Sequence, residues 1–302
     1  MPRPARRARR PRRQAVLAVL LTGTALALSS ACSAPERPAA AAAPEGAPAS
    51  GPAVPVSYGV PQDTTAMVLP ASGKDTRLTQ GLDGFANLAR TEATRVCLAA
   101  AHARAPAAPP AMFIRLFEIP DLETVARNGF AAAPVPSPGA APASAGAAPD
   151  AALTDRCGRE GAAAAAEVQS VYGPLQSLWL TGLAQLEREE SVVAARKGLA
   201  ACLAGKGVRA ADENQFFDHV DRTLQTVDGQ EAMRAEDRRL GAVYAACMEP
   251  VEAVREPLRT KLRERFAADH QADLAQIRAT LPQRIAVVEQ RRGIRFSVPA
   301  PG

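Results

Sequence analysis

The chain has 302 residues, 47% of them hydrophobic but only 4% aromatic, with 26 Pro, 21 Gly and a formal net charge of +5. Ample Leu and Val together with 22% charged residues exclude a wholly disordered chain, and long Ala- and Pro-rich tracts exclude one globule spanning every position. Seven arginines (Arg3, Arg6, Arg7, Arg9, Arg10, Arg12 and Arg13) and no acid lie ahead of Ala31, leaving 29 basic against 31 acidic groups in the rest, so charge gives no reason to expect nucleic acid as a partner.

Those arginines lead into an uncharged run, Gln14 to Ser30, with an apolar centre at Ala15 to Leu21 and Ala25 to Leu28. A basic start, a short apolar stretch and small residues are the marks of a secretory signal, not of a fold element. The run ends in Leu28-Ser29-Ser30-Ala31-Cys32, which resembles the lipobox of bacterial lipoproteins, although Ser29 stands where Leu is more usual. The resemblance implies cleavage before Cys32 and a diacylglyceryl thioether on its sulfur, with acyl chains such as palmitate holding the chain to a membrane. An ordinary signal peptide cut near Ala31 is the alternative, and an uncleaved anchor is a poorer one, because Thr22, Gly23 and Thr24 interrupt the apolar run. Arg12-Arg13 lacks the Phe-Leu-Lys pattern expected after a twin-arginine pair, so the export route stays open. In each case the body is expected on the extracytoplasmic face, at the cell surface.

From Ser33 to about Gln62 the sequence reduces to Ala, Pro, Gly and Ser and reads as a tether. The expected division is a signal peptide over 1–31, lipid anchor and disordered tether over 32–77, a helical domain over 78–290 and a tail over 291–302. A second Ala/Pro tract, about 131–148, reads as a disordered insert. Within the body, apolar residues recur at three and four. Leu82, Phe85, Leu88 and Val96-Cys97 pattern one helix through about His102; Val168, Val171-Tyr172, Leu175 and Leu178-Trp179 pattern another, with Gly173-Pro174 as a kink site. Ser191 is placed to cap a helix over Val192 to Ala204 that stops at Gly205-Lys206-Gly207, and Phe216, Val220, Leu224 and Val227 mark a further short one. Glu231 to Met248 and Pro250 to Glu289 complete an all-α fold: a disulfide-linked helical bundle with a long C-terminal helix, preceded by the disordered tether.

Cys97, Cys157, Cys202 and Cys247 form an even set in an exported body, which favours two disulfides. Four cysteines allow three connectivities. Ala200-Ala201-Cys202 and Ala245-Ala246-Cys247 surround sulfur with small side chains that let two helices approach, so the expected pairs are Cys202 with Cys247 and Cys97 with Cys157.

At this point the body, about Leu78 to Val288, resembles an uncharacterised family of helical, four-cysteine secreted proteins and lipoproteins of actinobacteria. The resemblance rests on Arg95-Val96-Cys97-Leu98, Asn128-Gly129-Phe130, Asp155-Arg156-Cys157, Cys202-Leu203 with Gly205 and Gly207, and Tyr244-Ala245-Ala246-Cys247-Met248. This chain departs from the pattern at Leu199 and Val208, where the family carries aromatic residues, and at His102-Ala103-Arg104-Ala105-Pro106. The family implies fold, export and cysteine pairing, and no catalytic residue.

His102, His219 and His270 are the three histidines; His102 lies about 140° around a helix from Cys97, a poor pair of metal ligands. Asp218-His219-Val220-Asp221 has no nucleophile motif to serve, and Glu187, Glu189 and Glu190 read as a solvated acidic turn without a sugar-stacking aromatic. No catalytic residue, metal or cofactor is expected. The function expected is a lipid-anchored binding or envelope-organising protein, its membrane contact through Cys32 and an envelope protein its candidate partner, with an unrecognised cell-wall hydrolase or other envelope enzyme as the alternative. Converging carboxylates or an imidazole in one cleft would favour the enzyme. The stripe Val251, Val254, Leu258, Leu262, Phe266, Leu274, Ile277, Leu281, Ile285 and Val288 has helical spacing, and a straight helix of that length, ~60 Å, would protrude from a compact domain. Either Leu281-Pro282 breaks it and folds its end back, or the stripe awaits a partner centred on Phe266, His270 and Leu274.

Overall fold

Helix starts are written in this sequence as side chains that can accept from the first free amides. The computed structural model describes residues 56–105, 119–130 and 145–299; the signal segment, Cys32, the tether up to residue 55 and most of the expected insert lie outside them. Asp63 accepts from the Ala66 N–H at 2.9 Å and opens α1, Thr64–Val68. Ser72 and Asp75 form a reciprocal capping box at the head of α2, Gly73–Ala100, which therefore begins nine residues before the Leu82 that marks its apolar pattern. Asp121 caps α3, Leu122–Asn128, and Asp150 caps α4, Ala151–Leu186.

The helix expected over Val192 to Ala204 is instead two, α5 (Glu190–Arg196) and α6 (Leu199–Gly205), and Ser191 lies inside the first rather than capping it. Gly198 is a weak helix former, and at Lys197 the bonding tightens to a three-residue turn onto the Ala194 carbonyl. Asp212 then caps α7, Glu213–Thr226. α8, Gln230–Asp269, and α9, Gln271–Arg292, complete the set, so the described chain is all-α apart from a two-stranded ribbon.

Cys97 is bonded to Cys157 and Cys202 to Cys247, with Cα separations of 5.4 and 5.6 Å, the pairing expected from the sequence. The first disulfide fixes the C-terminal end of α2 to the N-terminal end of α4, while at the other end the Trp179 indole N–H donates to the Pro70 carbonyl at 3.0 Å, so the two helices run antiparallel. Gly161 permits their close approach, because a Cβ there would stand 2.7 Å from the Arg90 carbonyl oxygen. α8 and α9 in turn follow α4 in the opposite direction: Arg255 meets Glu187, Phe266 meets Trp179, and Arg291 meets Glu167.

The long C-terminal segment breaks at His270, not at Leu281-Pro282. Pro282 lies inside α9, as Pro250 and Pro257 lie inside α8 and Pro174 inside α4. All four prolines are exposed, so the missing N–H is on the water side, where a carbonyl without its helical donor can be solvated.

Three apolar clusters follow. The largest joins α1, α2, α4, α9 and the final strand through Leu69, Phe85, Trp179, Ile277, Leu281 and Phe296. A second joins Phe130 to α6, α7 and the first half of α8, with Phe216, Phe217 and Tyr244 ringed around Phe130 at centroid distances of 5.5–5.9 Å. A third surrounds the Cys97–Cys157 disulfide. The chain ends expected as tether and tail contribute to the fold: β1 (Val56–Tyr58) pairs antiparallel with β2 (Ser297–Pro299), and Ile294, Phe296 and Val298 are buried in the main cluster. The last residues of the expected insert are also placed, with the Arg104 N–H donating to the Ala147 carbonyl at 2.7 Å. Both disulfides and all three clusters lie in the compact unit Ser50–Gly302.

Candidate functional site

On α8, Arg255 lies about 40° from Val251, inside the arc that Val251, Leu262 and Phe266 define, and Arg259, at about 80°, borders its Phe266 edge. Helical geometry therefore carries two guanidinium groups into the interior, and they are 2% and 1% exposed. Burial of that kind demands partners. Arg255 donates to Glu187 at 2.7 Å and meets Glu252 at 3.0 Å and Glu213 at 3.6 Å. Arg259 pairs with Glu252 and donates from Nε to the Ala71 carbonyl at 2.8 Å. One turn further on, Arg263 meets Asp75 of the α2 capping box at 2.6 Å. Arg196 pairs with Glu187 and stands 3.7 Å from Glu213, which also accepts from the Tyr244 hydroxyl at 2.8 Å.

The network has a definite electrostatic character. Burial and then the charge of Glu213 push the Tyr244 hydroxyl well above its ordinary range, while burial and the nearby Arg255 charge pull Arg196 down. Arg196, Arg255, Arg259 and Arg263 face Glu187, Glu213, Glu252 and Asp75, four cations against four carboxylates. Such a balanced set clamps the head of α2, the end of α4, α5 and the start of α7 onto α8. The solvated turn expected at Glu187 is corrected here: Glu189 and Glu190 are exposed, but Glu187 anchors the clamp. The cluster was not legible in the sequence because its partners stand 68 and 188 residues apart, although an arginine inside an apolar helical arc, with another at its edge, was a readable signal.

An open groove of about 770 Å³ runs along α8 beside this clamp, lined by Glu249, Glu252, Glu256 and Glu264 with Pro257, Lys261 and Leu122. All four carboxylates come from one helix and form one wall. Glycoside hydrolysis needs carboxyl groups on opposite sides of the scissile bond, and Glu252 is already committed to Arg255 and Arg259.

The remaining sequence candidates do not converge on a site. Leu274 is buried in the main cluster and Phe266 packs against it, its ring edge-on to Trp179 at 5.6 Å. His270, at the break between α8 and α9, lies 4.3 Å from the Phe266 ring and 3.1 Å from Asp273. The stripe folds back into the core rather than awaiting a partner, though the break is at His270: Ile277, Leu281, Ile285 and Val288 are buried as well, because the chain bends there and α9 continues along α4. His219 sits on α7, away from His270 in the chain, and no group of three or more metal-ligating side chains gathers among the described residues. No helix among the described residues is long and apolar enough to cross a membrane. Cys32, the expected lipidation site, lies outside the described residues.

Between α2 and α4, buried Tyr172 feels the charge of half-buried Asp83. The Tyr172 hydroxyl has no hydrogen-bond partner among the described residues and is pushed up by burial and by the charge of Asp83; burial raises the Asp83 carboxyl to about 6.

No protein-family model, curated protein or solved structure matches the chain.

Proposed function

We propose that the chain is a lipid-anchored extracytoplasmic protein that binds or organises envelope components without catalysing a reaction. The observation that carries this reading is the distribution of cysteines. The two disulfides take four of the five, and the fifth, Cys32, directly follows the apolar segment and the small residues that resemble a lipobox. Disulfides between distant helices belong to an oxidising compartment, and a thiol after a signal segment is the nucleophile that diacylglyceryl transfer requires. The likeness to actinobacterial four-cysteine lipoproteins belongs to the same proposal. The groove on α8 gives an envelope hydrolase its nearest footing, but its carboxylates share one helix, so the binding reading is preferred.

Mass analysis of the mature N-terminus tests the proposal. The expected product begins at Cys32 and carries the mass of a diacylglyceryl group, and Cys32→Ser accumulates as precursor or is released from the membrane. A processed Cys32→Ser protein of normal size that still partitions with membranes would overturn it.

A further inference from the structure

We infer that the end of the domain at which the N-terminal tether enters is a docking face for an anionic phospholipid surface, an inference that rests on the anchored reading above and extends it to orientation. β1 is where the chain from Cys32 joins the fold, and Val56 pairs with Pro299, so both ends of the described chain leave from one ribbon. Beside that ribbon the Arg295 guanidinium lies 5.7 Å from the Tyr58 ring centre, and Tyr58 is 49% exposed. The last turns of α9 add Arg284, Arg291 and Arg292, with Val287 exposed between the first two.

Two carboxylates meet this set. Glu167 of α4 takes both Arg284 and Arg291, at 3.4 and 2.9 Å, and Glu289 accepts from the Phe296 N–H and stands 3.7 Å from Arg295. Both acids are largely covered, whereas the arginine side chains at 291 and 295 are 55% and 61% exposed, so the outward charge is positive. The body as a whole has slightly more acids than bases, which makes this a local concentration. Guanidinium forks match phosphate oxygens, and an aromatic ring beside them suits the headgroup boundary. The groove on α8 mixes Glu249, Glu256 and Glu264 with Lys261, so charge there is of both signs, unlike the end of α9. A face with this local excess of exposed arginine is turned toward an anionic surface. Twenty-three residues separate Cys32 from Val56, a span of up to about 70 Å when extended, and tethering at that range raises the local concentration enough for a weak face to engage.

The test uses residues 33–302, which retain the whole described fold and lack Cys32, so that the result is independent of lipidation; the anchored reading is scored separately by the mass of the membrane-extracted protein. Sedimentation with phosphatidylcholine vesicles containing one-quarter phosphatidylglycerol is compared with sedimentation with phosphatidylcholine alone. The expected result is binding to the anionic vesicles, weakened at least about tenfold by high salt and by Arg291→Glu with Arg295→Glu. Arg295→Glu alone, which leaves the Glu167 pairs intact, is expected to weaken it by about threefold. The charge-matched reversal of exposed Lys206→Glu with Arg209→Glu is expected to leave it within about twofold. Equal sedimentation with both vesicle types, equal loss in the Lys206/Arg209 reversal, or binding to a soluble polyanion without binding to vesicles would each overturn the inference.

Discussion

Arg255 meets three carboxylates from three segments of the chain, Glu187, Glu213 and Glu252, and is almost wholly buried. Its removal leaves those charges in the interior without a central cation, so Arg255→Met is expected to destabilise the fold by about 3–5 kcal/mol, read as the shift in the urea midpoint. Asp83 obeys the opposite logic. Its folded pKa, about 6, stands above the ordinary aspartate value, so between about pH 4 and pH 6 the unfolded chain releases its proton first and stability falls as pH rises. Asp83→Asn is therefore expected to add on the order of 2 kcal/mol at pH 7.5 and little near pH 3, where the carboxyl is mostly protonated in both states, a difference that urea titration at the two values resolves. At this scale the sequence revealed the cysteines and their pairing, but the one cap read from it, Ser191, lies inside α5, while Asp63, Ser72, Asp121, Asp150 and Asp212 do the capping. It concealed Glu187, whose acidic neighbours Glu189 and Glu190 are solvated while it faces an arginine 68 residues away.

Among the elements, the most legible were those with one apolar face and a local cap. α2, α4 and α7 follow that rule, and the Cys202–Cys247 bond joins α6 to α8 where flanking alanines allow the approach. The disulfides close loops of 60 and 45 residues, so each is worth on the order of 4 kcal/mol in the chain-entropy description. Replacing Cys202 and Cys247 together by Ala should lower the urea midpoint accordingly, whereas recovery of four free thiols from the unreduced native protein would contradict the pairing. Proline was the misleading signal. Its cost depends on which side of the helix loses the N–H, a property of tertiary packing, and at Pro174, Pro250, Pro257 and Pro282 the exposed side bears it. The break falls at His270 instead, so amide exchange is expected to show stronger protection in the interior turns around Arg259 and Ile285 than at the His270 junction.

For the whole molecule, composition located the poorly patterned tracts but misplaced the ends of the fold, because residues on either side of the helices are too few to show periodicity. Ile294, Phe296 and Val298 follow Gly293, which takes the left-handed conformation that turns the chain out of α9. They lie against α2, where a Cβ on Gly81 would come within 2.9 Å of the Ser297 carbonyl oxygen. The pairing of β2, which holds Val298, with β1 is a contact between opposite ends of the described chain, invisible to any local window. The consequence is a sharp dependence on the last few ordered residues. Burial of an Ile, a Phe and a Val contributes about 1.5–3 kcal/mol each, a sum comparable to the total stability of an ordinary domain. A chain ending at Pro299 is therefore expected to melt within a few degrees of the full-length protein, while one ending at Gly293 is expected to lose about 5 kcal/mol or more and to fail to accumulate in folded form. Thermal unfolding of the two truncations decides the point: similar stability would mean that residues 294–299 are an appendage, and that the main core closes without the strand that brings the two ends together.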